Sequence, residues 1–377
     1  MIYADNSATT KPFPEVLQTF LQVNETYFAN PASIHQLGVT ANNLLDRARL
    51  EIAQTFHTEA ENIVFTSGGT ESNNLVVRGL VEAYQHRGKH IITSKIEHPS
   101  VLLLFQRLEQ EGFEVDYLDV DNYGIVRLDS LQQVLRQDTI LVSIMHVNNE
   151  IGTIQPIQEI GEIVHTSSRA VFHSDTVQSA GKLPIDLRHF GADIISISSH
   201  KMHGLKGSGA VIWKGNIHPS PQLLGGKQES GIRSGTVSVA NAVTLAKSLK
   251  LSLKAYHQKE SQLVEARKEL SQILESFQDI TIFGNEKTIP TILSFSKKGI
   301  IGEIVINAFQ AKGIIISTSS ACSSKKNTVS HVMKAIHCPV EYERGLVRIS
   351  IGVETTKTEI DEIATQLQVI LSSLNGE

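Results

Sequence analysis

The chain has 377 residues, 41% of them apolar and 19% charged, with a formal net charge of -5. This is the composition of a globular protein with room for two domains; it argues against a nucleic-acid or anionic-membrane surface, and no apolar run is long enough to span a bilayer. The two cysteines, Cys322 and Cys338, lack metal-type spacing, and the amino terminus lacks the basic start and apolar core of a secretion signal. Both features point to free thiols in a reducing compartment, read as the cytoplasm.

Helical periodicity runs through residues 14–24 and 39–56, and a strand is expected over 62–67 before Gly68-Gly69-Thr70 opens a helix. Further strands are expected at 90–93, 114–118, 140–146, 170–173 and 194–198, between helices at 101–110, 128–137 and 157–167. Alternation of this kind predicts a parallel sheet with helices on both faces, whose ligands bind at the carboxyl ends of the strands. A long charged helix over 239–277 then interrupts it. Strands at 281–283, 291–295 and 346–351 follow, in a smaller α+β region. The domain boundary is placed inside the long helix: 13–255 form the large domain, and 1–12 with 256–377 the small one.

The strand ending at Ser198 breaks into Ser199-His200-Lys201 and a glycine-rich loop. An amine at the mouth of a buried strand is partly desolvated, and its neutral form becomes available for a Schiff base with a carbonyl. Taken alone, Lys201 reads first as a solvated loop lysine, and only the residues around it favour the reactive amine. The Gly68-Gly69-Thr70 helix start offers free N–H groups and a hydroxyl to a single phosphate, or is a tight turn with a cap. Dinucleotide and nucleoside-triphosphate fingerprints are absent. Asp175, with Gln178 just beyond it, follows a strand and reads as a cap or as the partner of a pyridine nitrogen. His98 reads as structural, or as a ring that stacks on a flat cofactor. The histidines show no metal-binding pattern, so no metal is predicted. Cys322 sits in a run of small polar residues followed by Lys325 and Lys326, which favours an accessible thiolate; the segment, about 317–330, is expected to be mobile. Arg348 is a charge inside an apolar strand pattern and needs an anionic partner, such as a substrate carboxylate.

Together these stretches resemble the cysteine desulfurases of the nitrogen-fixation and iron–sulfur-assembly type, in the class V aminotransferase group of fold type I enzymes that use pyridoxal 5'-phosphate (PLP). The resemblance covers nearly the whole chain and rests on Tyr3-Ala-Asp5-Asn6-Ser-Ala-Thr-Thr10, Asn30-Pro31-Ala32-Ser33-Ile34-His35, Thr66-Ser-Gly-Gly-Thr70-Glu-Ser-Asn-Asn74, Glu97-His98, His146-Val-Asn-Asn149-Glu-Ile-Gly152, Asp175-Thr-Val-Gln178, Ser198-Ser-His200-Lys201, Arg233-Ser-Gly235-Thr236, Ser320-Ala321-Cys322 and Arg348. It implies a large domain built on a mostly parallel seven-stranded sheet flanked by helices, plus a smaller α+β domain. Lys201 would carry PLP as a Schiff base and move the Cα proton. Gly69, Thr70, Ser198 and His200 would hold the phosphate, with Thr236 reaching over from the partner of a homodimer. His98 would stack on the ring, Asp175 would pair with its nitrogen, and Gln178 would bond its phenolic oxygen. Asn149 and Arg348 would fix the carboxylate of L-cysteine. Cys322 would take the sulfur as a persulfide, releasing L-alanine, and pass it to an acceptor protein for iron–sulfur clusters or tRNA thiolation. A selenocysteine lyase, another lyase or aminotransferase of the group, and a non-catalytic scaffold are the alternatives. A transaminase has no use for Cys322 in an exposed loop.

Overall fold

A computed structural model describes residues 1–318 and 329–374 of the chain. After a short strand, β1 (Ile2–Tyr3), come two helices, α1 (Pro14–Thr26) and α2 (Gln36–Phe56). Strands and helices then alternate through β2 (Ile63–Thr66), α3 (Gly69–Tyr84), β3 (His90–Ser94), α4 (Pro99–Gln110), β4 (Glu114–Leu118), α5 (Leu128–Val134), β5 (Thr139–Ser143), α6 (Ile157–Ser167) and β6 (Val171–Asp175). Two further strands follow, β7 (Ile194–Ser198) and β8 (Gly209–Trp213). The long helix α7 (Val239–Glu275) leads to β9 (Ile280–Phe283), β10 (Ile292–Lys297), α8 (Gly302–Ala311), β11 (Ile314–Ile315), α9 (His331–Ala335), β12 (Val347–Ser350) and α10 (Lys357–Ser373).

Seven strands form the main sheet in the order β2-β8-β7-β6-β5-β3-β4. All neighbours are parallel except at β8, which runs antiparallel to both β2 and β7. The inner strands are buried along their whole length, because helices cover both faces. On one face α3 and α4 supply Leu80 and Phe105; on the other α2, α6 and the start of α7 supply Ile52, Ile160 and Leu245. A separate cluster surrounds the three-stranded sheet β12-β10-β9. Helix α7 serves both: Leu245 and Leu249 belong to the first core, Tyr256, Leu263 and Leu270 to the second. Val332, Met333 and Ala335 of α9 pack with the core of the main sheet. No helix among the described residues is long and apolar enough to cross a membrane.

Several elements differ from the sequence reading; the strand expected over 140–146, for one, spans Thr139–Ser143. The helix expected over 128–137 stops at Val134 because Leu135 turns extended and the Arg136 N–H is taken by Thr139 Oγ1. The strand expected over 170–173 runs on to Asp175, which is therefore its last residue. The glycine-rich loop after Lys201 ends at Gly209 in a seventh strand that the residue pattern did not foretell.

The amino-terminal segment ties the two sheets together. Strand β1 pairs with β11 in parallel, and the Asn6 side chain donates to the Ser350 carbonyl at the end of β12 (2.9 Å). Thr10 donates through both its backbone N–H (2.8 Å) and its hydroxyl (3.0 Å) to the carbonyl of His200 beyond β7.

Candidate active site

The carboxyl ends of β2, β3, β5, β6 and β7 open into one cavity of about 230 Å³. Its wall brings together Gly69, Thr70, His98, Asn149, Asp175, Gln178, Ser198, His200, Lys201 and Arg348, residues spread over 280 positions of sequence. The rule for open α/β sheets places a ligand there.

Lys201 follows β7 and donates from Nζ to the carbonyls of Ser7 and Ala8, the latter at 2.9 Å. Burial pushes its ammonium down to about 7; Arg348 and Lys182 add to this, while Asp5 and Asp175 oppose it. The amine is thus half neutral near pH 7, as a nucleophile or base needs to be. Asp175 is 5% exposed. It accepts from Asn73 Nδ2 (2.7 Å) and from the Val177 N–H (2.9 Å). Gln178 donates from its side chain to the Ser7 carbonyl (3.0 Å), and its backbone carbonyl accepts from Lys182 Nζ (3.0 Å).

His98 caps α4, its Nδ1 meeting the Ser100 N–H (3.2 Å) and hydroxyl (2.8 Å). Burial lowers its proton affinity, with the Asp175 charge pulling the other way. Glu97 beside it is fully buried and is pushed up to about 8, so it is protonated at neutral pH. The anion cradle lies at the start of α3: Gly68 has φ 143° and ψ -176°, a conformation essentially reserved for glycine. His200 leans on Thr9 Oγ1 (3.1 Å), and burial lowers it to about 4, so it enters the site neutral.

Arg348 is 2% exposed, and its anionic partner is Asp5, at 3.0 Å from Nη2, so the sequence reading that looked to a substrate carboxylate gains an internal competitor. Nη1 donates to the Asn149 carbonyl (2.6 Å). Asn149 thus meets Arg348 through its backbone. Thr236 is exposed and does not line the cavity. Cys322 lies outside the described residues. The chain on either side of it is fixed at the cavity, however. Ser317 exchanges two backbone hydrogen bonds with Arg348, Ser330 donates to Glu150 Oε2 (2.5 Å), and His331 Nε2 donates to the Glu97 carbonyl (2.9 Å).

Sequence reasoning missed Asp5, Asn73, Ser100 and Lys182. Asp5 and Asn73 stand inside the stretches that carry the family resemblance, yet nothing local to them indicates partners 343 and 102 positions away. Among the described residues, no group of three or more His, Cys, Asp or Glu side chains is placed to hold a metal ion.

Three buried polar atoms of cavity-lining residues have no partner: Asn73 Oδ1, Ser198 Oγ and Arg348 Nε. Unsatisfied groups of this kind are rare and call for a bound molecule. Ser198 Oγ sits 3.6 Å from where a Cβ on Gly68 would fall, so a hydroxyl and the first N–H groups of α3 converge on one small space. A phosphate fits there, a carboxylate fits at Arg348, and a protonated ring nitrogen fits at Asp175. Gly68→Ala is expected to cost about 1–3 kcal/mol through backbone strain, the new methyl meeting Ser198 Oγ only at ordinary contact distance. Urea unfolding and retention of the cofactor through gel filtration would both register it.

The class-V aminotransferase sequence pattern matches residues 2–363. Over 375 residues, 99% of this chain and 95% of the other, it is 38% identical to the cysteine desulfurase IscS of Dictyoglomus turgidum. Among solved structures, a NifS-like protein superposes with a TM-score of 0.93 at 33% identity, covering 99% of this chain and all of that one. SspA in complex with cysteine superposes at 0.82 with 32% identity, covering 94% of this chain and all of the other. The chain belongs to the class-V aminotransferase family.

Proposed function

We propose that the protein is a PLP-dependent cysteine desulfurase, which moves the sulfur of L-cysteine onto Cys322 and releases L-alanine. One observation carries this reading: a lysine amine whose charged form burial disfavours shares a cavity with a buried aspartate and a buried arginine. Names borne by full-length relatives, cysteine desulfurase and a complex with cysteine, agree with it. When bound, PLP supplies an electron sink that acidifies the Cα–H and loosens the Cβ–S bond of the amino acid.

The chain's own groups do the rest. Gly69, Thr70, Ser198 and His200 would hold the cofactor's phosphate, Asp175 would pair with its ring nitrogen, Gln178 would bond its phenolic oxygen, and His98 would stack on the ring. Arg348 and Asn149 orient the substrate carboxylate. Lys201 Nζ would be the amine that holds the cofactor and, when free, the base for the Cα proton; in that free state it donates to the Ser7 and Ala8 carbonyls. The Cys322 thiolate attacks the substrate sulfur. Its Cβ–S bond breaks, the electron pair stays on carbon and is protonated, and a persulfide and alanine result. Cys322 lies five residues beyond Ser317, and five extended residues span up to about 17 Å. With Ser317 tied to Arg348, the thiol has the reach to meet a carboxylate-anchored cysteine.

Two further parts belong to this proposal. The first is a division of the chain into 13–255 and 1–12 with 256–377, supported by the change of core along α7. The second is a homodimer in which Thr236 completes the phosphate site of the other copy. The exposure of Thr236 supports this, since the residue is left free to reach another copy. An acceptor protein then takes the sulfur. The test is mass spectrometry after mixing with L-cysteine: the peptide containing Cys322 gains one sulfur while alanine accumulates. Alanine without the added sulfur would point to a different lyase, and neither product would end the proposal.

A further inference from the structure

We infer that Asn73 and Ser100 are positioning residues: they join Asp175 to His98 in one hydrogen-bonded chain that keeps the neutral His98 ring protonated on Nε2. For its catalytic meaning this rests on the desulfurase reading; the proton position itself does not.

The directions of the bonds follow from what each atom is able to do. Asn73 is 1% exposed on α3, and one of its amide atoms lies 2.7 Å from Asp175 Oδ2. A carboxylate oxygen accepts, so that atom is the NH2 group, and the amide cannot be flipped. The same NH2 lies 2.9 Å from Ser100 Oγ, so its second hydrogen goes there. The serine oxygen accepts from Asn73, and its own proton is free for the 2.8 Å contact to His98 Nδ1. Independently, the Ser100 backbone N–H lies 3.2 Å from that nitrogen, and a backbone N–H never accepts. Two donors converge on Nδ1. It must carry a lone pair, and the ring proton belongs on Nε2.

An ordinary histidine cap would need only the backbone contact. The hydroxyl and the amide behind it extend the cap to the carboxylate assigned to the ring nitrogen, so both partners of the proposed cofactor ring are set by one chain of bonds. Adding a proton at Nδ1 would place it against the Ser100 N–H and force the hydroxyl to turn from donor to acceptor. The surrounding charges divide: Asp175 and Glu150 favour the added proton, Lys201 and His331 disfavour it, and burial outweighs them. At neutral pH, His98 would therefore enter the reaction as a neutral ring that donates from Nε2 and is ill suited to accept at Nδ1.

The experiment is nuclear magnetic resonance on the full-length, cofactor-loaded protein labelled with 15N-histidine, with His98 assigned by its loss in His98→Gln. The expected spectrum has Nδ1 unprotonated and Nε2 protonated in the neutral ring. Ser100→Ala is expected to move the His98 titration upward by about one pH unit, because the donor that favours the neutral ring is gone. Ser100→Thr, which restores the hydroxyl, is expected to return it. A proton on Nδ1 in the unaltered protein overturns the inference whether or not the variants fold, and so does a Ser100→Ala titration that does not move. Failure of sulfur transfer in a sample with the expected spectrum would count against the desulfurase reading alone.

Discussion

Lys201→Met is expected to lower alanine and persulfide formation by about 10³-fold or more, since it removes both the attachment point of the cofactor and the proposed base. A second effect, visible without the cofactor, separates this from simple damage. In the folded chain burial holds the ammonium at about 7, while an unfolded lysine titrates near its ordinary value of about 10.4. Between those values the unfolded chain binds a proton that the folded chain has given up, so this residue makes stability rise as pH climbs from 7 toward 10. Below 7 both states are protonated, and the full cost of a buried charge is present. Lys201→Met abolishes that slope. Its stability relative to the unaltered protein is therefore highest at pH 6 and declines steadily above 7. The lost bonds to the Ser7 and Ala8 carbonyls shift the whole comparison by a constant and leave the slope alone. Urea unfolding of both cofactor-free proteins at several pH values measures it. Parallel pH curves would mean that Lys201 keeps an ordinary ammonium, and the base assigned here would be lost.

How far the sequence revealed this site depends on the range of each interaction. Strand–helix alternation, the Gly68-Gly69 helix start and the lysine after β7 are local patterns, and all three were legible. The cavity-lining set was legible mainly because the chain resembles a known family. Spacing alone left Asp175 as a possible cap and His98 as a possible structural residue. Strand β8 was hidden because Gly209 continues a glycine-rich loop and the run after it, Ala210-Val-Ile-Trp213, is too short to signal a strand by alternation. Ser100 carries no signal of its own in the sequence; only the fold sets it against Asn73, which in turn meets Asp175. Asp5 was invisible as a partner because only the folded chain sets it against a residue 343 positions away. Arg348 was the instructive case: the need for an anion was correctly read from a charge in an apolar strand, and the chain itself supplies one.

That internal pair sets the second large effect. Arg348→Leu is expected to raise KM for L-cysteine by about 10²-fold or more, the scale of losing a desolvated bidentate contact to a carboxylate. kcat should fall less, because Lys201 and Asp175 remain in place. The same change strands Asp5. Burial already raises its pKa, and Arg348 is the main influence pulling it back down, so without the arginine the carboxyl is pushed higher and takes up a proton more readily. Breaking a buried pair by removing one partner costs about 3–5 kcal/mol; Asp5 keeps 17% of its side chain exposed, which places the loss toward the lower end. Asp5→Asn added to Arg348→Leu should recover part of the stability, because no unpaired charge remains, while KM stays high. Asp5→Asn alone separates the two roles of the arginine. The guanidinium keeps its bond to the Asn149 carbonyl and loses its internal competitor, so the binding of simple carboxylates should strengthen even as the fold weakens. Steady-state kinetics with L-cysteine, a carboxylate competition series and urea unfolding of the four proteins complete the comparison. An unchanged KM in Arg348→Leu would remove this residue from substrate binding and leave it a structural tie between β12 and the amino-terminal segment.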